Sequence, residues 1–214
     1  WMGAASLEGR AFFAGGASSN MNSDNKCANV EVYNSTLTRT AATNLSVARY
    51  YPLTATIGSR VLFAGGTGNT ITKVVDVYST SLTRTAAADL SRPTSGDAST
   101  VVGNYAIFTS DGNTSCDVYN ASLTKTTVTL LSVARVNMSA GTVGDYALFA
   151  GGGTNSPYSD VVDACDTSLT RTTVTTLDYP RSGLSSATVG DYLLFAGGRI
   201  DSENYSSDVF VYTA

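Results

Sequence analysis

A β-propeller of about five four-stranded blades is the fold class this sequence predicts. Three recurring features predict it: an apolar run that ends in Gly-Gly, a glycine-centred turn before that run, and an acid-apolar-aromatic triplet after it. Internal repeats with periods of about 40–50 residues are the signature of propellers and solenoids.

The anchor is Phe-Ala-Gly-Gly, starting at Phe13, Phe63, Phe149 and Phe195. A degenerate copy, Phe108-Thr109-Ser110-Asp111-Gly112, fills the gap between the second and third of these. Upstream of each anchor lies a short β-prone run and a turn, as in Thr142-Val143-Gly144-Asp145-Tyr146 and Thr188-Val189-Gly190-Asp191-Tyr192. Gly-Asp between such runs fits a type II′ hairpin, with glycine where φ must be positive. These segments are the first and second strands.

The third strand carries Val30-Glu31-Val32-Tyr33, Val75-Asp76-Val77-Tyr78, Cys116-Asp117-Val118-Tyr119, Val162-Asp163-Ala164-Cys165 and Ser207-Asp208-Val209-Phe210. The fourth follows a Leu-Thr-Arg or Leu-Thr-Lys turn at Leu37, Leu82, Leu123 and Leu169. Thr, Val, Tyr and Phe suit pleated strands, and no helical periodicity is present. Four antiparallel strands per repeat, arranged radially, protect sheet edges. Residues 1–214 are therefore read as one domain, with 43% hydrophobic residues for a core.

The fifth unit has no fourth strand after Tyr212. Lost flanking sequence, a blade without its outer strand, and a strand supplied by a neighbouring chain all account for this. The last makes self-association through the incomplete fifth blade an expectation.

The order of these features resembles the kelch family: an apolar strand ending in Gly-Gly, a third strand ending in Tyr, then a fourth strand. The resemblance covers essentially the whole chain and implies a propeller fold. It departs at the fourth strand. The family's tryptophan there is replaced by Arg39-Thr40, Arg84-Thr85, Lys125-Thr126 and Arg171-Thr172, and the only tryptophan is Trp1. Partner knowledge from tryptophan-bearing kelch proteins therefore transfers poorly.

The Gly-Gly pairs resemble a phosphate loop, but no helix follows them to hold a phosphate. They are read as places where crowded backbones approach. The acids Glu31, Asp76, Asp117, Asp163 and Asp208 are read as one buried carboxylate per blade, and a buried carboxylate needs a partner. Two cationic ladders supply candidates. One is Arg39, Arg84, Lys125 and Arg171; the other is Arg49, Arg92, Arg135 and Arg181. Asp76 is expected within hydrogen-bonding reach of an arginine.

The chain has no histidine, which excludes a Ser-His-Asp or Cys-His pair and imidazole metal ligands. No catalytic residue, cofactor or metal is assigned. A net charge of −4 argues against nucleic-acid binding, and no stretch suits membrane insertion. No signal peptide is read at the start. Cys27, Cys116 and Cys165 are read as free thiols, mostly buried, with Cys27 the most exposed.

Function should sit where the repeats differ. The loops joining strands two and three vary most: Ala17 to Asn29, Thr67 to Lys73, Asn113 to Ser115, Gly153 to Ser159 and Arg199 to Ser206. Arg49, Tyr50, Arg92, Arg135, Tyr158, Arg181, Arg199 and Tyr205 are the candidate ligand-binding residues on that face, since Tyr and Arg are common interface anchors. The expected role is a non-catalytic binding or interaction module for an unknown protein or glycan. Two alternatives stand beside it. One is a glycan-active enzyme using the loop carboxylates Asp160, Asp201 and Glu203. The other is a scaffold fragment or engineered propeller with no ligand of its own.

Overall fold

The computed structural model describes residues 1–17, 25–153 and 157–214. Five antiparallel sheets form, with the strands of each in chain order. The first holds β1 (Gly3–Leu7), β2 (Arg10–Ala14), β3 (Val30–Tyr33) and β4 (Arg39–Ala41). The second holds β5 (Leu53–Ile57), β6 (Arg60–Ala64), β7 (Val75–Tyr78) and β8 (Arg84–Ala86). The third holds β9 (Ser99–Val102), β10 (Tyr105–Thr109), β11 (Ser115–Asn120) and β12 (Lys125–Thr129). The fourth holds β13 (Ser139–Val143), β14 (Tyr146–Ala150), β15 (Val162–Asp166) and β16 (Arg171–Thr173). The fifth has three strands, β17 (Ser185–Val189), β18 (Tyr192–Ala196) and β19 (Val209–Thr213). The fold is an all-β, five-bladed β-propeller whose last blade has three strands among the described residues.

The chain divides into two compact units, Trp1–Gly96 with Tyr119–Lys125, and Asp97–Val118 with Thr126–Ala214. In the first unit, Phe12, Ala14, Val30 and Val32 of the first sheet pack with Val61, Phe63 and Tyr78 of the second. In the second unit, Ile107, Cys116 and Val118 of the third sheet pack with Ala147, Phe149 and Cys165 of the fourth. The other face of the fourth sheet, with Leu148, Ala150, Val162 and Ala164, packs with Leu193 and Phe195. A strand between two sheets sends alternate side chains to alternate neighbours, so β7 and β15 are buried along their lengths up to Tyr78 and Cys165.

The Thr and Ser content of the first strands has a physical role. Thr54 and Thr56 donate to the Ala4 and Ser6 carbonyls at 3.0 and 2.8 Å. Ser186 and Thr188 donate to the Ala140 and Thr142 carbonyls at 2.7 Å each. Small hydroxyls thus tie first strand to first strand between sheets. Third-strand tyrosines add a second tie: Tyr78, Tyr119 and Tyr212 donate to the Thr43, Ala88 and Thr175 carbonyls.

The Gly-Gly pairs do what crowding requires. Gly151 and Gly152 have φ of 66° and 107°. A Cβ on Gly151 would run into the Arg181 carbonyl oxygen, to which Gly152 N–H donates at 2.8 Å. The turns into the fourth strand carry a feature the sequence reading missed. Leu37, Leu82, Leu123 and Leu169 all adopt positive φ, between 58° and 64°. The side chains of Asn34, Asn120 and Asp166 support this geometry by accepting two N–H bonds each across the turn.

Two alignments need correction. The fifth acid is not Asp208. The anchors Phe13, Phe63 and Phe149 lie opposite Glu31, Asp76 and Asp163, but Phe195 lies opposite Phe210. Tyr212 then takes the Tyr78 position, as its hydrogen bond shows, and Asp208 lies before β19. Arg92 also leaves its ladder. Arg49, Arg135 and Arg181 each stand four residues after a buried leucine (Leu45, Leu131, Leu177). Four residues after Leu90 comes buried Thr94, while Arg92 is exposed.

Candidate functional site

The acid-arginine nodes come first, because they decide which cations are free for a ligand. Arg49 and Asp76 are both fully buried and meet at 2.9 Å. Arg84 reaches the other oxygen of Asp76 at 3.0 Å, and Ser46 donates from N–H and hydroxyl at 3.0 Å each. Arg49 also donates to the Phe63 carbonyl at 3.0 Å. Asp163 is held the same way by Arg135 at 2.5 Å and Arg171 at 3.3 Å. Arg135 in turn donates to the Gly151 and Val161 carbonyls at 2.7 Å each. Burial pushes the Arg135 pKa down, and the Asp163 charge and hydrogen bond oppose that shift. The expected ion pair is therefore present in the second and fourth sheets, where it ties the connector to the third strand of the sheet it enters.

The first and fifth sheets vary this node. Glu31 pairs with Arg39 at 2.6 Å near the surface, and that bond holds its carboxyl below the usual range. In the fifth sheet the Arg181 guanidinium lies over the Phe210 ring, 4.5 Å from its centroid. It reaches Asp208 at 3.4 Å and the Gly197 carbonyl at 3.1 Å. Phe210 replaces the acid, and a ring face takes part of its role. In the third sheet, Asp117 is buried and accepts from Thr127 at 3.0 Å.

Arg49, Arg135 and Arg181 are thus buried and committed to the scaffold. Arg92 is exposed on the connector of the first unit. Tyr50, half-buried, bridges to Thr67 and contacts the Tyr51 ring at 5.4 Å. Trp1 packs against Tyr51 with ring centres 5.2 Å apart and planes tilted by 39°, so an aromatic group forms in the first unit that sequence reasoning credited to Tyr50 alone.

In the second unit three of the expected residues meet. Tyr158, Arg199 and Tyr205 line one cavity of about 320 Å³ with Asn137, Ser182 and the glycines beside them. Short backbone bridges, Ser182 to Arg199 and Arg199 to Tyr205, fold the 199–206 loop back on itself. The Arg199 guanidinium lies 5.6 Å from the centre of the Tyr205 ring and donates to the Ser202 carbonyl at 2.9 Å. Tyr205 is 71% exposed, so one face of its ring is open. Asn137 and Ser182 were not singled out from sequence. Asn137 has a positive φ of 54° and its carbonyl accepts from Gly183 N–H, which brings the two loops together.

Asp201 is committed locally. It accepts from the N–H groups of Glu203 and Asn204 and from the Asn204 amide, and these bonds hold its pKa below the ordinary value. Cys116 and Cys165 are buried, and desolvation pushes both thiols up to about 12. Cys27 is half-buried, and all three cysteines are free thiols. No group of three or more acidic or cysteine ligands converges among the described residues. No helix among them is long and apolar enough to cross a membrane. The loop calls over 18–24 and 154–156 lie outside the described residues.

No family model and no curated protein matches the chain. Among solved structures it is similar to one titled "Structure of YjhT", with a TM-score of 0.76 and 14% identity, over 99% of this chain and 80% of that one. The likeness shows the propeller fold alone.

Proposed function

We propose that the chain is a non-catalytic binding module whose ligand sits on the strand two-to-three loops, centred on Arg199 and Tyr205. One observation carries this reading. Tyr158, Arg199 and Tyr205 converge on one cavity, whereas the candidate arginines Arg49, Arg135 and Arg181 are buried in the scaffold. A planar cation beside open phenol rings offers hydrogen bonds and flat apolar faces together. That chemistry suits the ring of a glycan or an exposed segment of a protein. The recurring Gly-Gly, third-strand Tyr and fourth-strand turn support a kelch-type reading of the blades. Enzymatic use of Asp201 fits less well, because that carboxylate caps its own loop.

A glycan and protein ligand screen of the isolated chain tests the proposal. Arg199→Ala or Tyr205→Ala should weaken any ligand found by about tenfold, as expected for an interface anchor. Unchanged affinity in both variants would move the site elsewhere.

A further inference from the structure

Tyr51 holds a backbone conformation that its repeat otherwise gives to glycine and asparagine. Two residues after Arg49, Thr94, Arg135 and Arg181 come Tyr51, Gly96, Asn137 and Gly183. All four adopt positive φ, of 53°, 69°, 54° and 69°. A recurring main-chain bond goes with this conformation. Tyr51 N–H donates to the Trp1 carbonyl at 3.0 Å, Gly96 N–H to the Tyr51 carbonyl at 3.3 Å, and Gly183 N–H to the Asn137 carbonyl at 2.9 Å. Glycine and asparagine enter the left-handed region readily, and a bulky aromatic residue does not. Strained backbone of this kind concentrates at ligand clamps and active sites. We propose that Tyr51, flanked by Tyr50 and Trp1, is a stacking subsite for a neutral sugar ring of a glycan.

The neighbours of Tyr51 give the subsite its form. Gly96 is exposed, and the atoms nearest to a Cβ placed on it are Cβ and Cγ of Tyr51, at 3.9 Å. The base of the Tyr51 side chain therefore lies beside bare backbone. Trp1 stands in the equivalent place before the first sheet. It precedes Met2 as Asn137 precedes Met138, and a Cβ on Gly16 would meet Met2 at 2.7 Å just as one on Gly152 would meet Met138. Trp1 is 58% exposed, and Tyr50 and Tyr51 are half-buried. The ring centres of Trp1 and Tyr50 lie 5.2 and 5.4 Å from that of Tyr51, with planes tilted by 39° and 66°.

This geometry selects among the ligands that aromatic groups take. A cage for a quaternary ammonium needs rings that stand apart and surround the cation. These rings pack against each other, so they offer outer faces instead. A pyranose has an apolar C–H face with hydroxyls at its rim, which matches an aromatic face with a polar tip. Tyr78, Tyr119 and Tyr212, which brace the scaffold, donate their hydroxyls to main-chain carbonyls. The hydroxyls of Tyr50 and Tyr51 make no hydrogen bond among the described residues, so they are open to a ligand. Two hydroxyls and an indole N–H match sugar hydroxyls rather than an ionised group. The subsite stands on the first unit and uses neither Arg199 nor Tyr205.

Trp1 is the only tryptophan, so its emission reports on this group alone. The probes are cellohexaose, mannohexaose and N-acetylchitohexaose, each titrated into the intact chain and read by tryptophan fluorescence. The expected result is a saturable change in emission with at least one of them. Tyr51→Asn and Tyr51→Gly carry the residues of the equivalent places. Both should unfold at or above the parent's temperature and bind that sugar about tenfold more weakly, as for an interface anchor. Tyr51→Phe, which keeps the ring, should retain most of the binding. No change with any probe up to about 10 mM, beyond the millimolar range of weak complexes, would overturn the proposal. So would a response to tetramethylammonium in place of the sugars, or sugar binding that survives Tyr51→Asn. Because the signal comes from Trp1, failure of this subsite is distinguished from failure of the Arg199 site.

Discussion

Asp97 is the residue at which the repeat most plainly breaks its own rule. Three residues after Arg49, Arg135 and Arg181 come Pro52, Met138 and Leu184, and three after Thr94 comes Asp97. Met138 and Leu184 pack against glycines of their anchors, whereas Asp97 places a carboxyl at the equivalent point. Both its oxygens are buried and neither makes a well-formed hydrogen bond, although the Asn137 N–H and the Thr109 hydroxyl lie close enough to oppose its pKa shift in part. The nearby Thr109 hydroxyl already donates to the Ala98 carbonyl at 2.9 Å. Asp111 and Cys116 also face this carboxyl, and no cation does among the groups that shift it. Burial first, and then the Asp111 charge, push its pKa up to about 7. The folded protein therefore holds a proton that the unfolded chain releases at lower pH. Stability from this group is present at about pH 4 and falls as pH rises to about 7. Asp97→Asn should then stabilise the protein on the order of a few kcal/mol at about pH 8 and leave it unchanged at about pH 4. Thermal unfolding across that range measures it, and a pH profile identical to that of the parent would refute the assignment.

At the scale of elements, the glycines separate into those that turn the chain and those that let backbones touch. Gly190 has φ of 55° in its two-residue hairpin, with open space where a Cβ would be. Gly151 has similar φ, but a Cβ there meets the Arg181 carbonyl. Gly190→Ala should cost about 1–2 kcal/mol, the price of left-handed backbone. Gly151→Ala adds a clash with a backbone that is itself hydrogen-bonded, so its loss of stability in denaturant titrations should be clearly larger. Equal costs would mean the anchor glycines serve only as turns. This distinction was legible in sequence, since Gly-Gly recurs without a following helix. The fifth third strand was not. Ser207-Asp208-Val209-Phe210 and Val209-Phe210-Val211-Tyr212 both alternate with period two, and a two-residue slip preserves which face each side chain takes. Only pairing to Phe195 and the Tyr212 hydrogen bond choose between them. Arg92 misled for a related reason. Its type matched the ladder, whereas distance from the connector leucine sets which side chain is buried.

For the whole molecule, the same repetition explains why fold was easier to read than function. A residue that recurs in step reports the packing common to every sheet. Tyr158, Arg199 and Tyr205 occur once each, and the folding of two loops, rather than any spacing, brings them together. Repetition also shows which surface is out of place. Gly141, Val143, Leu148, Ala150, Val162 and Ala164 form the face of the fourth sheet that the fifth covers. Their counterparts by strand register are Ala187, Val189, Leu194, Ala196, Val209 and Val211. Val189, Val209 and Val211 are each more than half exposed, and Tyr192 is 52% exposed beside them. Contiguous apolar surface of this kind drives association when left in water. Replacing Val189 and Val209 by threonine keeps β-branching and shape while adding hydroxyls to residues that bury little. The double variant should unfold at the parent's temperature, bind less of an apolar dye and scatter less light at high concentration. A fall in unfolding temperature together with unchanged dye binding would mean that this face is already covered in solution.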